Sequence, residues 1–408
     1  MKCRFCGVEI KFEVIDLINS PPSNSFLSKE ELNEPELFFP LKIYVCNNCF
    51  LVQVDEYKKS NEIFNEKYAY YSSFSKTWLN HAKNYVNMIK NRFKLNKTSF
   101  VIEIASNDGY LLQYFKEKGI PCLGVEPASN TAKVAKQKGI EVIEDYFGVR
   151  LAQDLTAKNK KADLLIGNNV LAHVPDINDF VTGLKIILKE TGIITMEFPH
   201  LMQIIENNQF DTIYHEHFSY LSFLTVMKIF ESHGLELFDV EEIPTHGGSL
   251  RIYAKHKGDN SKKLSERVNN LINIELSKKI NKLEFYKNFQ NEANKIKYDF
   301  LQFLVNGKLN GKKIIAYGAA AKGNTLLNYC GVKNDLIEFV VDASPYKQNN
   351  YLPGSHIPIV NESEIKKLKP DFIIILPWNI KEEIMTQLNY VKEWDCKFVI
   401  PIPKVRII

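Results

Sequence analysis

Three groups of residues in this chain have types and spacings suited to chemistry. The first is a pair of CxxC knuckles, Cys3-Arg4-Phe5-Cys6 and Cys46-Asn47-Asn48-Cys49. Each aims two thiolates at one point, and four thiolates make a closed tetrahedral zinc site that leaves no position for water, hence a structural one. Redox use of the CxxC pairs is the alternative. The second group is Ser106-Asn107-Asp108-Gly109, a small polar turn after the apolar strand Val101–Ile104. The third is Tyr214-His215-Glu216-His217, which could supply a histidine base, a supporting carboxylate and a phenol to hold an oxyanion. The HExxH helix pattern is absent, so a metal is the weaker reading of this stretch, and a plain polar loop is the bland one.

The elements that must position these residues follow from apolar runs. After the 101–104 strand and a helix beginning near Gly109, a second strand, Cys122–Val125, ends in Glu126. Strand, small turn, helix and a strand with a terminal acid open a nucleotide-binding α/β unit, the acid accepting from ribose hydroxyls. There is no GxGxxG, and Asp108 would repel a pyrophosphate. S-adenosylmethionine (SAM), with a ribose and no phosphate, fits better. Further strands are expected at Glu141–Ile143, Leu164–Asn168 and Ile193–Phe198, with helices between them, giving a parallel sheet. Ser106–Gly109, Glu126, Asn168, Asn169, His173 and Glu197 then share its carboxyl rim.

Before this unit, Phe64–Ala82 is crowded with tyrosine and serine and leads into a helix near Thr77–Phe93; it reads as a lid or as a staple between domains. After it, charged Lys255–Lys263 marks a boundary, and Leu264–Leu304 reads as one long amphipathic helical stretch. A second α/β block follows, with strands at Lys313–Tyr317, Leu336–Val341, Phe372–Leu376 and Lys397–Ile400 and a helical segment at Leu326–Tyr329. Its turn, Gly318–Thr325, offers backbone N–H groups and Lys322 to an anion.

A length of 408 residues suits two or three domains, and 45% apolar with 25% charged residues is ordinary for a globular chain. The net charge of +4 comes without a basic block, which argues against a nucleic-acid partner. The sequence has no apolar run of the roughly 18 residues that span a bilayer, and the cysteine pair at the start leaves no room for a signal peptide. A cytoplasmic protein without membrane contact is expected, and a monomer, since three domains can bury one another's faces.

The ordered set of four cysteines, EIASNDG, GNNVLAHVPD, FDTIYHEHFSY, THGGSLR and GAAAKGNTLLN resembles the SAM-dependent sugar C-methyltransferases over essentially the whole chain. Ala105 stands where that family's first motif would have glycine. The resemblance implies three domains: a zinc-binding module at 1–65, a class I SAM-methyltransferase Rossmann-like sheet at 66–256, and a C-terminal Rossmann-like domain at 257–408 that binds a nucleotide sugar. It implies methylation at C3 of a nucleotide-linked 4-keto-6-deoxy sugar, with His217 as base, Glu216 supporting it, Tyr214 and Tyr68 near the sugar, and His173 on the 4-keto oxygen. Ser106, Asn107, Asp108, Gly109, Glu126, Asp145 and Asn168 would border SAM. Lys322, Asn324 and Thr325, then Tyr346, Lys347 and Gln348, would meet the nucleotide, with Arg251 reaching substrate or tying the sheet edge. Methylation of oxygen or nitrogen is the alternative activity.

Overall fold

The computed structural model describes residues 1–59 and 70–408; Tyr68 lies outside them. The alternating runs FEVIDLINS and FPLKIYV form β1 (Phe12–Ser20) and β2 (Phe39–Val45), an antiparallel pair from Phe12↔Val45 to Ser20↔Phe39. β3 (Val52–Val54) pairs on β2, and the second CxxC knuckle is the turn between them. Alternation places Val14, Leu41, Ile43, Val45 and Val54 in one core with Leu326, Leu327 and Tyr329 of the C-terminal block. The cysteines belong to the core of the middle domain instead. The N-terminal module is therefore a wedge between the other two units.

The middle sheet comprises β4 (Val101–Ile104), β5 (Cys122–Val125), β6 (Glu141–Ile143), β7 (Ala162–Asn168) and β8 (Leu188–Pro199). β9 (Ser219–Tyr220) leaves this domain and completes the first sheet, pairing with β3 at Val52↔Tyr220 and Gln53↔Ser219. The hairpin of β10 (Leu235–Ile243) and β11 (Ser249–His256) closes the middle sheet, whose order is β10-β11-β8-β7-β4-β5-β6. β11 alone runs antiparallel, so the sheet is mixed rather than wholly parallel as expected. This is the class I SAM-methyltransferase arrangement. Its strand order reverses between β4 and β7, where such sheets open a ligand crevice.

The 264–304 stretch is not one helix. Helices Glu266–Ser277 and Phe289–Leu309 flank a 3-10 turn at Leu283–Tyr286. The break buries Ile280 and Tyr286, whose hydroxyl donates to the Ile280 carbonyl at 2.6 Å. The third sheet is formed by β12 (Ile314–Tyr317), β13 (Val340–Val341), β14 (Ile359–Val360), β15 (Phe372–Ile375), β16 (Lys397–Ile400) and β17 (Arg406–Ile407), in the order β14-β13-β12-β15-β16-β17. β13 is much shorter than the expected 336–341 strand. The helix Ala321–Cys330 begins five residues before the expected Leu326, so Lys322–Thr325 lie in its first turns and the connection from β12 is only Gly318–Ala320. Gly318 has φ +91°, and a Cβ there would stand 2.4 Å from the Pro377 ring.

Candidate active site

A 3-10 turn, Phe210–Thr212, delivers Tyr214–His217 to the seam of all three units. The His217 Nδ1–H donates to the Thr212 carbonyl at 2.9 Å, which fixes the tautomer and leaves the Nε2 lone pair facing outward. Nε2 accepts from the Tyr214 hydroxyl at 2.7 Å. His173, from the turn after β7, lies edge-on to His217 at 4.6 Å, and its Nδ1–H donates to the Glu216 carbonyl at 2.8 Å. Across the chamber, Asn169 Nδ2 donates to His246 Nε2 at 3.1 Å. Lys322 enters from the C-terminal helix, its Nζ 3.0 Å from Asn379 Oδ1 and 4.6 Å over the Trp378 ring. The Trp378 indole N–H in turn donates to buried Asp211 at 2.7 Å.

Desolvation sets the charges in this chamber. Burial pushes the imidazoles down, His173 to about 4, His246 to about 3 and His217 well below its ordinary value, the last also by the nearby His173. All three are therefore neutral near pH 7. Burial lowers the Lys322 ammonium too, and it pushes the Asp211 carboxyl up to about 6.

Two expected roles need correction. The Glu216 carboxylate does not support His217: both its oxygens accept from Asn24 Nδ2 at 2.8 Å, on the N-terminal module, and the Thr212 carbonyl orients the imidazole instead. Tyr214–His217 is a hydrogen-bonded turn, the His217 N–H donating to the Tyr214 carbonyl at 3.0 Å, and it sends the Glu216 carboxyl to the N-terminal module while the imidazole meets Tyr214. Neutral His173, with its proton on Nδ1, has no N–H at Nε2 to donate to a keto oxygen. His215 Nε2 meets the Pro40 carbonyl at 3.2 Å, again a tie to the first module.

Burial holds the Glu216 carboxyl up at about 7, above the ordinary 4.5. A carboxyl whose value is raised by folding stabilises the fold fully below pH 4.5, and that contribution is lost as pH rises through 7. Wild-type protein should thus lose about 3 kcal/mol of unfolding free energy relative to Glu216→Gln between pH 4.5 and 8. Urea denaturation at both pH values measures it; parallel curves for the two proteins would refute this assignment.

Beside this chamber, the β4 turn folds through φ +55° at Ala105, +49° at Asn107 and +75° at Gly109. A Cβ on Gly109 would fall 2.4 Å from Ile140. Glu126, buried at the end of β5, accepts from the Asn107 and Ala128 backbone N–H groups at 2.8 and 2.9 Å. The Asn107 and Asp108 side chains accept from the backbone N–H groups of Ser72 and Ser73 at 2.9 and 3.3 Å, fastening the segment before the 76–92 helix over the turn. Buried Ser106 Oγ and Asp108 Oδ1 have no hydrogen-bond partner among the described residues. Unpartnered polar atoms at a sheet's switch point suit a polar ligand, and the Glu126 carboxylate suits a ribose. Asp145, after β6, pairs with Arg150 at 2.5 Å. Asn168 ends β7 with its amide buried and unpartnered among the described residues, and so is the nearby Glu103 carboxyl, which desolvation holds well above the usual range. Sequence reasoning passed over Glu103, although an acid inside the run VIEI was a signal.

The C-terminal candidates separate into two sets. Lys322 reaches the chamber. Asn324 donates to the Ser23 carbonyl at 2.5 Å and Thr325 to the Ile213 carbonyl at 2.8 Å, both buried, knitting the helix to the other two units. Lys347 and Gln348 bond the Ala319 and Asp342 carbonyls at 2.9 and 2.8 Å. Tyr346 stacks on Tyr71 at 4.8 Å. Arg251 ties the sheet edge, bonding Glu197 at 2.7 Å and Glu241 at 2.9 Å. Asn169, expected on the carboxyl rim, does line the chamber, whereas Asp211 and Trp378 line it without having been singled out, because nothing local in sequence joins them.

Three family models match in chain order: a zinc binding domain on residues 3–64, a methyltransferase domain on 78–240, and a C-methyltransferase C-terminal domain on 244–403. C-methyltransferase NovU of Streptomyces niveus is 31% identical over 407 residues, covering 100% of this chain and 96% of that protein. The chain belongs to the C-methyltransferase family. Among solved structures, the PH0226 protein of Pyrococcus horikoshii OT3 is 14% identical, covering 49% of this chain and 100% of its own, with a TM-score of 0.39. Magnesium protoporphyrin IX methyltransferase of Synechocystis PCC 6803 is also 14% identical, covering 43% and 82%, with a TM-score of 0.35.

This C-methyltransferase is thus a SAM-dependent enzyme with a zinc-binding module, and its cysteines fit the metal. All four Sγ atoms lie within 4.8 Å of one another, with Cys3–Cys49 and Cys6–Cys46 both at 3.5 Å. Zn–S bonds of about 2.3 Å require tetrahedron edges of about 3.8 Å. Gln53 Nε2 donates to Cys3 Sγ at 3.4 Å, a second layer that orients the ligand. No helix of the described residues is long and apolar enough to cross a membrane.

Proposed function

We propose that the enzyme methylates C3 of a nucleotide-linked 4-keto-6-deoxy sugar, with the units 1–65, 66–256 and 257–408 supplying zinc-bound scaffold, SAM site and nucleotide-sugar site. The observation that carries the reading is His217: a neutral imidazole pinned through Nδ1, with its basic Nε2 held by a phenol at the seam of the three units.

A 4-keto group acidifies the C3–H. His217 Nε2 takes that proton, and the C–H electron pair moves into an enolate spread over C3 and the carbonyl oxygen. The Tyr214 hydroxyl sits on Nε2 and lies beside the sugar, so it holds the base in register and passes or yields to the proton. Charge on the enolate oxygen is met by Lys322, the cation that faces this chamber, rather than by His173. Neutral His173 packs on the His217 ring and fixes its plane. For the methyl donor, the Ser106–Gly109 backbone borders the amino-acid part, Glu126 the ribose hydroxyls, and Asp145 and Asn168 the remaining edges. SAM, when bound, supplies a methyl group on a sulfonium, electrophilic enough that alignment is the main demand.

The test is solvent-deuterium exchange at C3 of a dTDP-4-keto-6-deoxyhexose with S-adenosylhomocysteine bound, followed by mass spectrometry after SAM is supplied. Exchange and a gain of one methyl on carbon are expected. A methylated product without any C3 exchange capacity would point to oxygen and overturn the reading.

A further inference from the structure

Lys322 and Asp211 each carry a charge that their own elements do not support. Lys322 is the second residue of the 321–330 helix, where the positive end of the helix disfavours a cation. Its ammonium meets a neutral amide, Asn379 Oδ1, and the face of Trp378, and no carboxylate is in ion-pair contact with it among the described residues. Asp211 is fully buried in the 3-10 turn Phe210–Thr212. One of its oxygens accepts from the Trp378 indole N–H at 2.7 Å, and the other has no hydrogen-bond partner among the described residues. A buried carboxylate with one donor is costly unless a cation offsets it.

Trp378 touches both groups: its edge donates to Asp211, and its face carries Lys322 at 4.6 Å. An indole that donates to a carboxylate holds more electron density over its ring, which strengthens its hold on the ammonium. The ring is also fixed in place, because a Cβ on Gly247 would stand 2.4 Å from it. The other titratable groups that feel the Lys322 charge, His217 and His246, are neutral and offer no negative charge. Glu197, the acid that acts on His246, is bonded to Arg251 and His81. Asp211 is the acid that favours the charged form of Lys322, and Lys322 favours the ionised form of Asp211 in return.

We propose that Asp211 is a positioning residue for the reaction: its carboxylate is the counter-ion that keeps Lys322 charged and seated on Trp378 beside the reacting carbonyl. The inference rests on the reading above that Lys322 meets the enolate. One turn then serves both halves of the chemistry, since the Thr212 carbonyl orients the base and its neighbour Asp211 secures the cation.

The test is an NMR titration of the full zinc-loaded chain, isotope-labelled at lysine Cε, whose shift follows ionisation of the amine; Lys322→Arg identifies the signal. Asp211→Asn keeps an acceptor for Trp378 and removes the charge, and S-adenosylhomocysteine binding controls for folding. In this variant Lys322 should lose its proton at a pH lower by about one unit or more. The alkaline limb of C3 deuterium exchange in a dTDP-4-keto-6-deoxyhexose should move down with it. Lys322→Arg in the Asp211→Asn background should restore exchange at alkaline pH, because a guanidinium stays charged there. If Asp211→Asn fails the folding control, the reciprocal titration decides: Lys322→Met should raise the Asp211 ionisation by the same amount, read from the Trp378 indole nitrogen shift. An unmoved titration overturns the counter-ion and leaves the proposed activity standing. A moved titration with an unmoved exchange limb overturns the role of Asp211 in the reaction. A wild-type chain that binds S-adenosylhomocysteine but exchanges no C3 deuterium at any pH overturns the proposed activity, while the Lys322 titration judges the counter-ion by itself.

Discussion

His217→Ala should lower kcat by about 10²–10⁴-fold, the range associated with a positioned general base, and leave the affinity for S-adenosylhomocysteine unchanged. The imidazole touches the Thr212 carbonyl, Tyr214 and His173 but none of the residues around Ser106–Gly109 or Glu126, so the loss falls on the chemistry. C3 deuterium exchange should disappear together with methyl transfer, because both need the same proton removal. His217→Asn keeps a hydrogen bond to Thr212 and should be equally inactive, which separates basicity from packing. Retention of exchange in either variant would mean that another group takes the proton. Since burial holds His217 well below its ordinary value, its own protonation belongs to the acid side of the profile. A loss of activity with an apparent pKa near 6 to 7 would instead report Asp211 or Glu216, which burial raises to about 6 and about 7.

Removing zinc should abolish activity although the cysteines touch no substrate. Structural zinc supplies on the order of 10 kcal/mol to the folding of small modules, and here it clamps the ends of β2 and β3. β3 carries β9 on its outer side, and Asn24 and Pro40 of the same module hold Glu216 and His215. Loosening the clamp therefore frees both flanks of Tyr214–His217. Cys46→Ser, or treatment with a strong chelator, should cut kcat by more than 10²-fold and lower the melting temperature, with zinc release followed by a colorimetric indicator. Zinc-free protein of undiminished activity would show that the metal is incidental.

Much of the scaffold is legible in the sequence where an apolar tetrapeptide is bounded by polar residues. β4, β5, β6 and β16 fall where their residues place them, and so do the two cysteine knuckles, whose partners are set by chemistry. The β10–β11 hairpin is not legible, because its inward positions include Asp239, Glu241 and Arg251, charges neutralised by one another, by Arg92 and by Glu197. Buried ion pairs erase the apolar period on which strand reading depends. The site is half legible. Residue types at Tyr214–His217 announce a base, but neighbours in sequence are not partners in space. Glu216 turns to Asn24, and the groups that do share the chamber with His217 are His173, His246 and Lys322, from distant elements.

The two-residue strand β9 has a bearing on ancestry. Val52 and Gln53 must meet Tyr220 and Ser219 in register, two residues along the chain from His217. A recombinant that took its first sixty residues from one lineage and the remainder from another would inherit mismatched halves of one sheet. It would also inherit a mismatched seat for Tyr214–His217. The three modules can diverge in loops and pockets, but at this seam they must be inherited as one piece.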